Sequence, residues 1–400
     1  MDDLLVLVHR IPYPPNKGDK IRSFHLLDDL SRRYRVHLGT FIDRPADWQY
    51  CETVRRYCAS TWFGALSPGQ ARLRSLSGLL THDALTLPYY RNSGLSHWIR
   101  ELRQHTPIHR ILVYSSAMAQ YVLGSEFAGT RRIIDFVDMD SDKWRQYSTV
   151  KRFPMSWVYR REATHLAAFE RQVANCFDAS IFVSEQEAAL FRRGLNPGAS
   201  RVHAIHNGVD ADYFAPDPAR QSPFQGNGKR LVFTGAMDYW ANEEGATWFA
   251  QAILPAVRQQ FPDCEFYIVG MNPTASVRQL EQMPGVTVTG SVPDVRPYLQ
   301  HANAVVVPLR IARGIQNKVL EAMAMGRPVI TTAQALEGIA AMPGREIQVA
   351  DTADAFVRQI AQTLTEGDAA MGSSARAFVQ THFSWEASLP LLTTLLENTT

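Results

Sequence analysis

Pro308-Leu309-Arg310-Ile311-Ala312-Arg313-Gly314-Ile315-Gln316-Asn317-Lys318-Val319-Leu320-Glu321-Ala322-Met323-Ala324-Met325-Gly326-Arg327-Pro328-Val329 lies between two apolar runs in the second half of the chain. The apolar run Ala304–Val307 feeds it and Val329–Thr332 follows it. Both have the length of a fully buried parallel strand. Between them lie a Gly-bearing loop, a short helix over Asn317–Met325 and a Gly stop at Gly326. Strand, loop, helix and strand make one βαβ unit of an α/β sheet. The free N–H groups where such a helix starts suit a phosphate. Gly314 lets the backbone come close to a ligand, and Lys318 adds a positive charge. Glu321 is three residues beyond Lys318 on the same helix face, where a carboxylate can accept hydrogen bonds from a ribose diol. Taken alone, the Lys–Glu spacing is common decoration on a helix surface.

Working outward, the same alternation fills the second half of the chain. Arg230–Thr234, Glu265–Val269 and Val286–Thr289 read as strands, with a helix expected over Glu243–Gln260. The first half carries an independent series: Leu4–Val8, Val36–Phe41, Ile111–Tyr114, Ile133–Val137, Ala179–Ser184 and Val202–Ile205. Ile21–Leu30 and Met155–Cys176 read as helices, and Trp48–Leu80 as helical and partly exposed. The Pro-, Gln- and Gly-rich composition of Asp217–Lys229 suggests an exposed connection. The expected class is therefore α/β with two Rossmann-like domains. The first spans 1–210, a linker 211–229, the second 230–383, and a C-terminal helix over 384–400 packs back on the first. Ligands of such sheets bind outside the carboxyl ends of the strands, so two such units facing each other would enclose a cleft.

Composition narrows the function. The 400 residues suffice for two domains, and 46% apolar with 20% charged residues is an ordinary globular mix. A net charge of +2 gives no general ground for nucleic-acid binding. The four cysteines, Cys51, Cys58, Cys176 and Cys264, form no CxxC pair and have no His at zinc spacing, so they read as free thiols of a cytoplasmic protein. No basic leader precedes Leu4–Val8, and no run approaches the about 20 apolar residues of a membrane span.

The segment quoted first resembles the donor-binding motif of the group-1 retaining glycosyltransferases, whose fold is GT-B. That motif has two glutamates with seven residues between them, then Ala-Met-Ala and a Gly-x-Pro-Val turn. Glu321 takes the place of the second glutamate, for which the resemblance implies a ribose contact. Arg313 takes the place of the first, which in the family helps to hold the donor sugar. An arginine could instead fork onto the diphosphate. Ile205-His206-Asn207-Gly208-Val209-Asp210 is similar to the Asn-Gly-Val-Asp that closes the family's first domain. Pro12-Tyr13-Pro14-Pro15-Asn16-Lys17-Gly18-Asp19-Lys20 occupies the place of its Gly-bearing first loop. There Gly18 would meet the donor, and Lys17, Lys20 and Arg22 would meet a phosphate-bearing acceptor.

After the strand at Ile133–Val137 the family often has a histidine, and Asp138 stands there. It is the catalytic candidate, able to accept a sugar hydroxyl or to steady developing positive charge. Asp135, Asp140 and Asp142 read either as part of that site or as caps of the next helix. The family's basic pair after the first strand of the second domain is missing from Phe233–Gly245, where Gly235 and Asp238 are the donor-side candidates. Arg310, Arg313 and Lys318 are expected to replace that pair, with Gly314, Ile315, Gln316 and Asn317 lining the phosphates. Three strings, Phe233–Asp238, Asp135–Ser141 and Gly314–Lys318, look like the exosortase (PEP-CTERM)-associated sugar transferases of exopolysaccharide gene clusters.

The resemblance implies a nucleotide-sugar donor and a glycan or polyprenyl-phosphate-linked acceptor. It implies no metal, no cofactor and no nucleic-acid partner, with retention at the anomeric carbon. Lys151, Arg152, Trp157, Tyr159, Arg160 and Arg161 would suit peripheral contact with the inner membrane, or simply a solvated helix packing its tryptophan inward. Two rivals stand beside this reading. One is a degenerate sugar-nucleotide binder, motivated by Arg313 and the missing basic pair. The other is a nicotinamide oxidoreductase, which the first loop disfavours because it lacks GxGxxG spacing.

Overall fold

The computed structural model describes residues 1–15, 18–79, 81, 83–195, 201–312, 314–367 and 369–398. Arg313 and Lys17 therefore lie outside the described residues. The chain divides into two compact units, 1–206 with 389–400, and 207–388.

The first unit is built on seven parallel strands. These are β1 (Asp3–Val8), β2 (Arg35–Ile42), β3 (Ser60–Ala65), β4 (Arg110–Tyr114), β5 (Arg131–Val137), β6 (Ala179–Phe182) and β7 (Val202–Ala204), in the order β3-β2-β1-β4-β5-β6-β7. The central strands bury both faces, which is why their sequences are continuous Leu, Ile and Val runs rather than alternating ones. Leu5, Leu7, Ile111, Val113, Ile134, Phe136 and Phe182 form the core. The last helix, Pro390–Glu397, returns to this unit, where Arg110 and Arg131 donate to the carbonyls of Leu396 (3.1 Å) and Leu395 (2.6 Å).

The second unit has six parallel strands, β8 (Arg230–Thr234), β9 (Glu265–Val269), β10 (Val286–Gly290), β11 (Ala304–Val307), β12 (Val329–Thr331) and β13 (Gln348–Val349), in the order β10-β9-β8-β11-β12-β13. Its core sets Phe233, Phe249, Phe266 and Phe356 among Leu231, Val305, Val306 and Ile330. Each sheet reverses its strand order once, between β1 and β4 in the first unit and between β8 and β11 in the second. Loops splay apart at such a point and open a crevice at the carboxyl ends of the strands.

Four expectations are corrected. Trp48–Leu80 is not all helical, because Ser60–Ala65 forms the edge strand β3, paired with β2 from His37↔Ser60 to Ile42↔Ala65. The stretch 211–229 is not a free linker. Asp217 and Arg220 both bond the Gln300 side chain, and Phe224 packs on Tyr267 and Tyr298, so it belongs to the second unit. The helix expected over Glu243–Gln260 is broken by a π turn at Phe249–Ile253. Pro255, which has no N–H to donate, then falls in the first turn of a new helix, Leu254–Gln260. The C-terminal helix is two pieces, Trp385–Ser388 in the second unit and Pro390–Glu397 in the first.

Candidate functional site

In the second unit the site grows from the β8/β11 switch point. Gly235 follows β8 and Gly270 follows β9. A Cβ on Gly270 would lie 1.6 Å from the carbonyl oxygen of Gly235, so only glycine lets the two strand ends close on each other. From across the switch, the helix Asn317–Ala324 sends the Lys318 amine to the Asn242 side-chain oxygen, with the amine 4.9 Å above the Phe233 ring. Asn242 in turn donates to the Ala236 carbonyl at 2.8 Å and holds the loop after β8. A side chain at position 235 would meet both Asn242 and Lys318 within 3.2 Å.

Burial pushes the Lys318 amine down to about 8, with Glu321 partly opposing, and pushes the Glu321 carboxyl up to about 7, with Lys318 partly opposing. These two groups have been desolvated without full compensation, a condition typical of functional sites. Gly314 has φ +64°, the left-handed conformation that turns the chain before the helix. Ile315 is buried, Gln316 occupies the helix N-cap with its amide donating to Gly314 at 3.1 Å, and the Asn317 Oδ1 is buried with no hydrogen-bond partner among the described residues. Asp238 accepts from Asn272 at 3.1 Å.

Arg310 is placed differently from expectation. Its guanidinium pairs with Glu244 and stacks over Trp248 at 4.9 Å, because the helix Trp240–Trp248 lies against the end of β11. It is therefore not a free cation waiting for phosphate.

In the first unit, Asp138 follows β5 and pairs with Lys143 at 2.7 Å, and Asp140 shares that amine at 3.3 Å. Burial opposes the Lys143 charge, but Asp138 and Asp140 outweigh it and hold the amine above its usual range. Immediately before, Val137 has φ +71°, a costly conformation for a β-branched residue, and the β5–β6 register breaks there. Asp135 maintains the turn. One oxygen accepts from the Val137 N–H at 3.0 Å and the other from Arg22 at 2.8 Å. Below the same site, burial raises the Glu170 carboxyl to about 8 although Ser141 donates to it twice.

Lys20 and Arg22, expected to meet an acceptor phosphate, are corrected here. Lys20 is buried against Asp47 at 2.7 Å. Arg22 is fully buried against Asp135 and the Ile205 carbonyl. Both belong to the framework, since their helix, Gly18–Ser31, packs their side chains inward. Gly18 is the first residue of that helix.

Two contributors had not been singled out. One is Asn242. The other is His9, which follows β1 at the first unit's switch point. Its ring stacks on Tyr114 (5.8 Å between centroids), meets Tyr90 edge-on and stands 3.7 Å from Asp19, and its Nδ1 is buried without a partner among the described residues. The signal that could have found it is its position as the first polar residue past β1. Among the described residues no group of three or more His, Cys, Asp or Glu side chains is placed to hold a metal, although Asp135–Asp142 is rich in carboxylates. Among them, too, no helix is long and apolar enough to cross a membrane.

Comparison with known proteins agrees with this architecture. Over nearly its whole length the chain has the GT-B fold of solved glycosyltransferases. It superposes on sucrose-phosphate synthase from Thermosynechococcus elongatus with a TM-score of 0.71 at 18% identity, covering 99% of this chain and 98% of that one. For Anabaena Alr3699/HepE in complex with UDP the values are 0.68 and 14%, with 99% of both chains covered. For WaaG, a glycosyltransferase involved in lipopolysaccharide biosynthesis, they are 0.62 and 16%, with 99% and 100% covered. Residues 228–366 match the family model described as Glycosyl transferases group 1, a span that holds Gly235, Asn242, Lys318 and Glu321. No curated protein matches the sequence.

Proposed function

We propose that this chain is a glycosyltransferase that moves a sugar from a nucleotide-sugar donor on the second unit to a glycan or polyprenyl-phosphate-linked acceptor on the first. The observation that carries this is the Lys318 amine. It crosses the β8/β11 switch point to the glycine-cleared loop at Gly235, with Glu321 one helical turn further on. An incoming diphosphate would restore the charge that burial disfavours on Lys318. Ribose hydroxyls would do the same for the Glu321 carboxylate. The structures of HepE in complex with UDP, with UDP-glucose, and with UDP and glucose make uridine diphosphate sugars the first donors to try.

In this reading Lys318 and the N–H groups opening its helix stabilise the leaving diphosphate as the glycosidic bond breaks. The acceptor hydroxyl attacks from the face the diphosphate leaves, with a donor phosphate oxygen taking its proton, which gives retention without a bound metal. Asp138, held by Lys143, accepts a hydroxyl of the transferred sugar or steadies charge at its anomeric carbon. The resemblance of Phe233–Asp238, Asp135–Ser141 and Gly314–Lys318 to the exosortase-associated subgroup is the ground for a role in exopolysaccharide-type synthesis on the cytoplasmic side of the membrane.

A sugar-nucleotide binder without turnover is the second reading, favoured by the engagement of Arg310 with Glu244, which leaves fewer cations for the leaving group. A thermal-shift screen of nucleotide sugars on the wild type and on Glu321→Ala tests donor binding. The wild type should be stabilised by at least one nucleotide sugar and the variant much less; the absence of any hit removes the proposal. Turnover of that hit with a lipid-phosphate sugar acceptor, lost in Asp138→Asn, separates enzyme from binder.

A further inference from the structure

The charge of the chain is nearly balanced overall but not locally. No Asp or Glu occurs from Thr53 to His82, which carries Arg55, Arg56, Arg72 and Arg74, or from Lys143 to Arg161, which is rich in arginine and lysine. The fold brings parts of these two stretches together. Arg161, near the start of the helix Met155–Cys176, donates to the carbonyls of Gly78 (2.5 Å), Thr81 (2.6 Å) and Asp83 (3.2 Å). Its neighbour Glu162 accepts from the N–H groups of Leu85 and Thr86. The helix Pro68–Ser75 with its continuation Leu76–Leu79 is thereby tied beside the segment that opens the long helix.

Both pieces turn large apolar side chains to solvent. Phe153 is 81% exposed and Leu73 71%, with Leu76, Leu79, Met155 and Trp157 also exposed. Among them Arg72, Arg74, Lys151, Arg152 and Arg160 are exposed, and no carboxylate among the described residues pairs with them. Arg74 spends its donors on the Pro88 and Tyr89 carbonyls, which leaves its charge uncancelled. Apolar side chains in such number are rarely left open without a partner, and interleaved cations without anions select what that partner is.

We propose that this face of the first unit docks on an anionic lipid bilayer, its aromatic and leucine side chains entering the headgroup boundary while the cations meet lipid phosphates. This rests on the glycosyltransferase reading only for its purpose. The helix Asp140–Val150 runs from the Asp138 loop to the edge of the face, and its 11 residues span about 16 Å. An amphiphilic acceptor anchored in the bilayer would thus present its headgroup within one helix length of Asp138.

Flotation with the full chain tests it, using vesicles of phosphatidylcholine alone and vesicles containing phosphatidylglycerol. The protein should float with the anionic vesicles, and binding should weaken as salt is raised. Lys151→Gln with Arg152→Gln should weaken it about 25-fold, taking about fivefold per cation. Phe153→Ser with Leu73→Ser should weaken it at least tenfold, with melting temperature unchanged because both side chains are already exposed. Failure to float with anionic vesicles, or flotation unchanged by both pairs of substitutions, overturns the proposal. So does a self-associated protein that the Phe153→Ser and Leu73→Ser pair converts to monomer, which would make the face an interface between copies. Calorimetry of nucleotide-sugar binding on the same variants should be unchanged, so failure at the membrane is distinguishable from failure of the donor reading.

Discussion

The two switch points are built on the same topology but treat charge in opposite ways. Around the β1/β4 switch most of the described charges have an ion-pair partner within the unit, although burial still raises the Asp135, Asp140 and Glu170 carboxyls. Arg10 bridges Asp19 and Asp43, Lys20 meets Asp47, Arg22 meets Asp135, and Lys143 serves Asp138 and Asp140. Burial works against Asp19, yet His9 and Arg10 still hold its carboxyl well below the usual range. Around the β8/β11 switch, Lys318 has a neutral amide as its hydrogen-bond partner, and Glu321 offsets only part of the burial cost. A self-compensated site suits a neutral hydroxyl partner. An uncompensated one suits a ligand that brings its own charge. On the proposed reading, the contrast sets framework pairs such as Arg22–Asp135 apart from Lys318 and Glu321, the groups left for a charged donor.

The sharpest way to break the contrast is Arg22→Met. It leaves Asp135 buried without its cation and should cost about 3–5 kcal/mol of stability in chemical denaturation. Donor affinity per folded molecule should be unchanged. Lys318→Met should do the reverse, weakening nucleotide-diphosphate binding by about 2–3 kcal/mol in calorimetry, as expected for a lost charge-assisted bond, while leaving stability equal or higher. If Lys318→Met unfolds the chain as Arg22→Met does, the distinction fails.

The pH dependence follows from the same pair. Between about 8 and the ordinary lysine value near 10.5, the unfolded chain binds more protons at position 318 than the folded one, so this group makes stability rise with pH there. Between 4.5 and about 7 the folded chain binds more protons at Glu321, so that group makes stability fall as pH rises. Donor affinity should decline above about pH 8 as Lys318 loses its proton, and Lys318→Arg should move that decline upward. The smallest effect is expected of Glu321→Gln: a loss of roughly 1 kcal/mol in donor binding, since one acceptor remains, and a flatter stability profile between pH 4.5 and 7.

Much of this was legible in the sequence wherever one local pattern decides the outcome. Continuous runs such as Ala304–Val307, too short for a helix, read as buried strands, and the three-residue step from Lys318 to Glu321 is set by the helix itself. The edge strand Ser60–Ala65 was not legible, because Thr61, Trp62 and Phe63 are only half-buried and show neither a continuous apolar run nor clean alternation. Arg310 was misread because its partner, Glu244, is 66 residues away. Asn242 was missed for the same reason, being 76 residues from Lys318 and joined to it only by the order of the strands. His9 carries no spacing signal, and its place depends on β1 being central, which only the sheet order reveals.

The central claim is that the second unit holds a nucleotide-sugar through Lys318 and Glu321. Calorimetric titration of the nucleotide sugar selected by the screen into wild type, Lys318→Met and Glu321→Ala tests it most directly. The wild type should show saturable one-site binding, weakened at least tenfold by either substitution, with all three proteins folded. Equal affinity in all three, or no binding to the wild type, would contradict it.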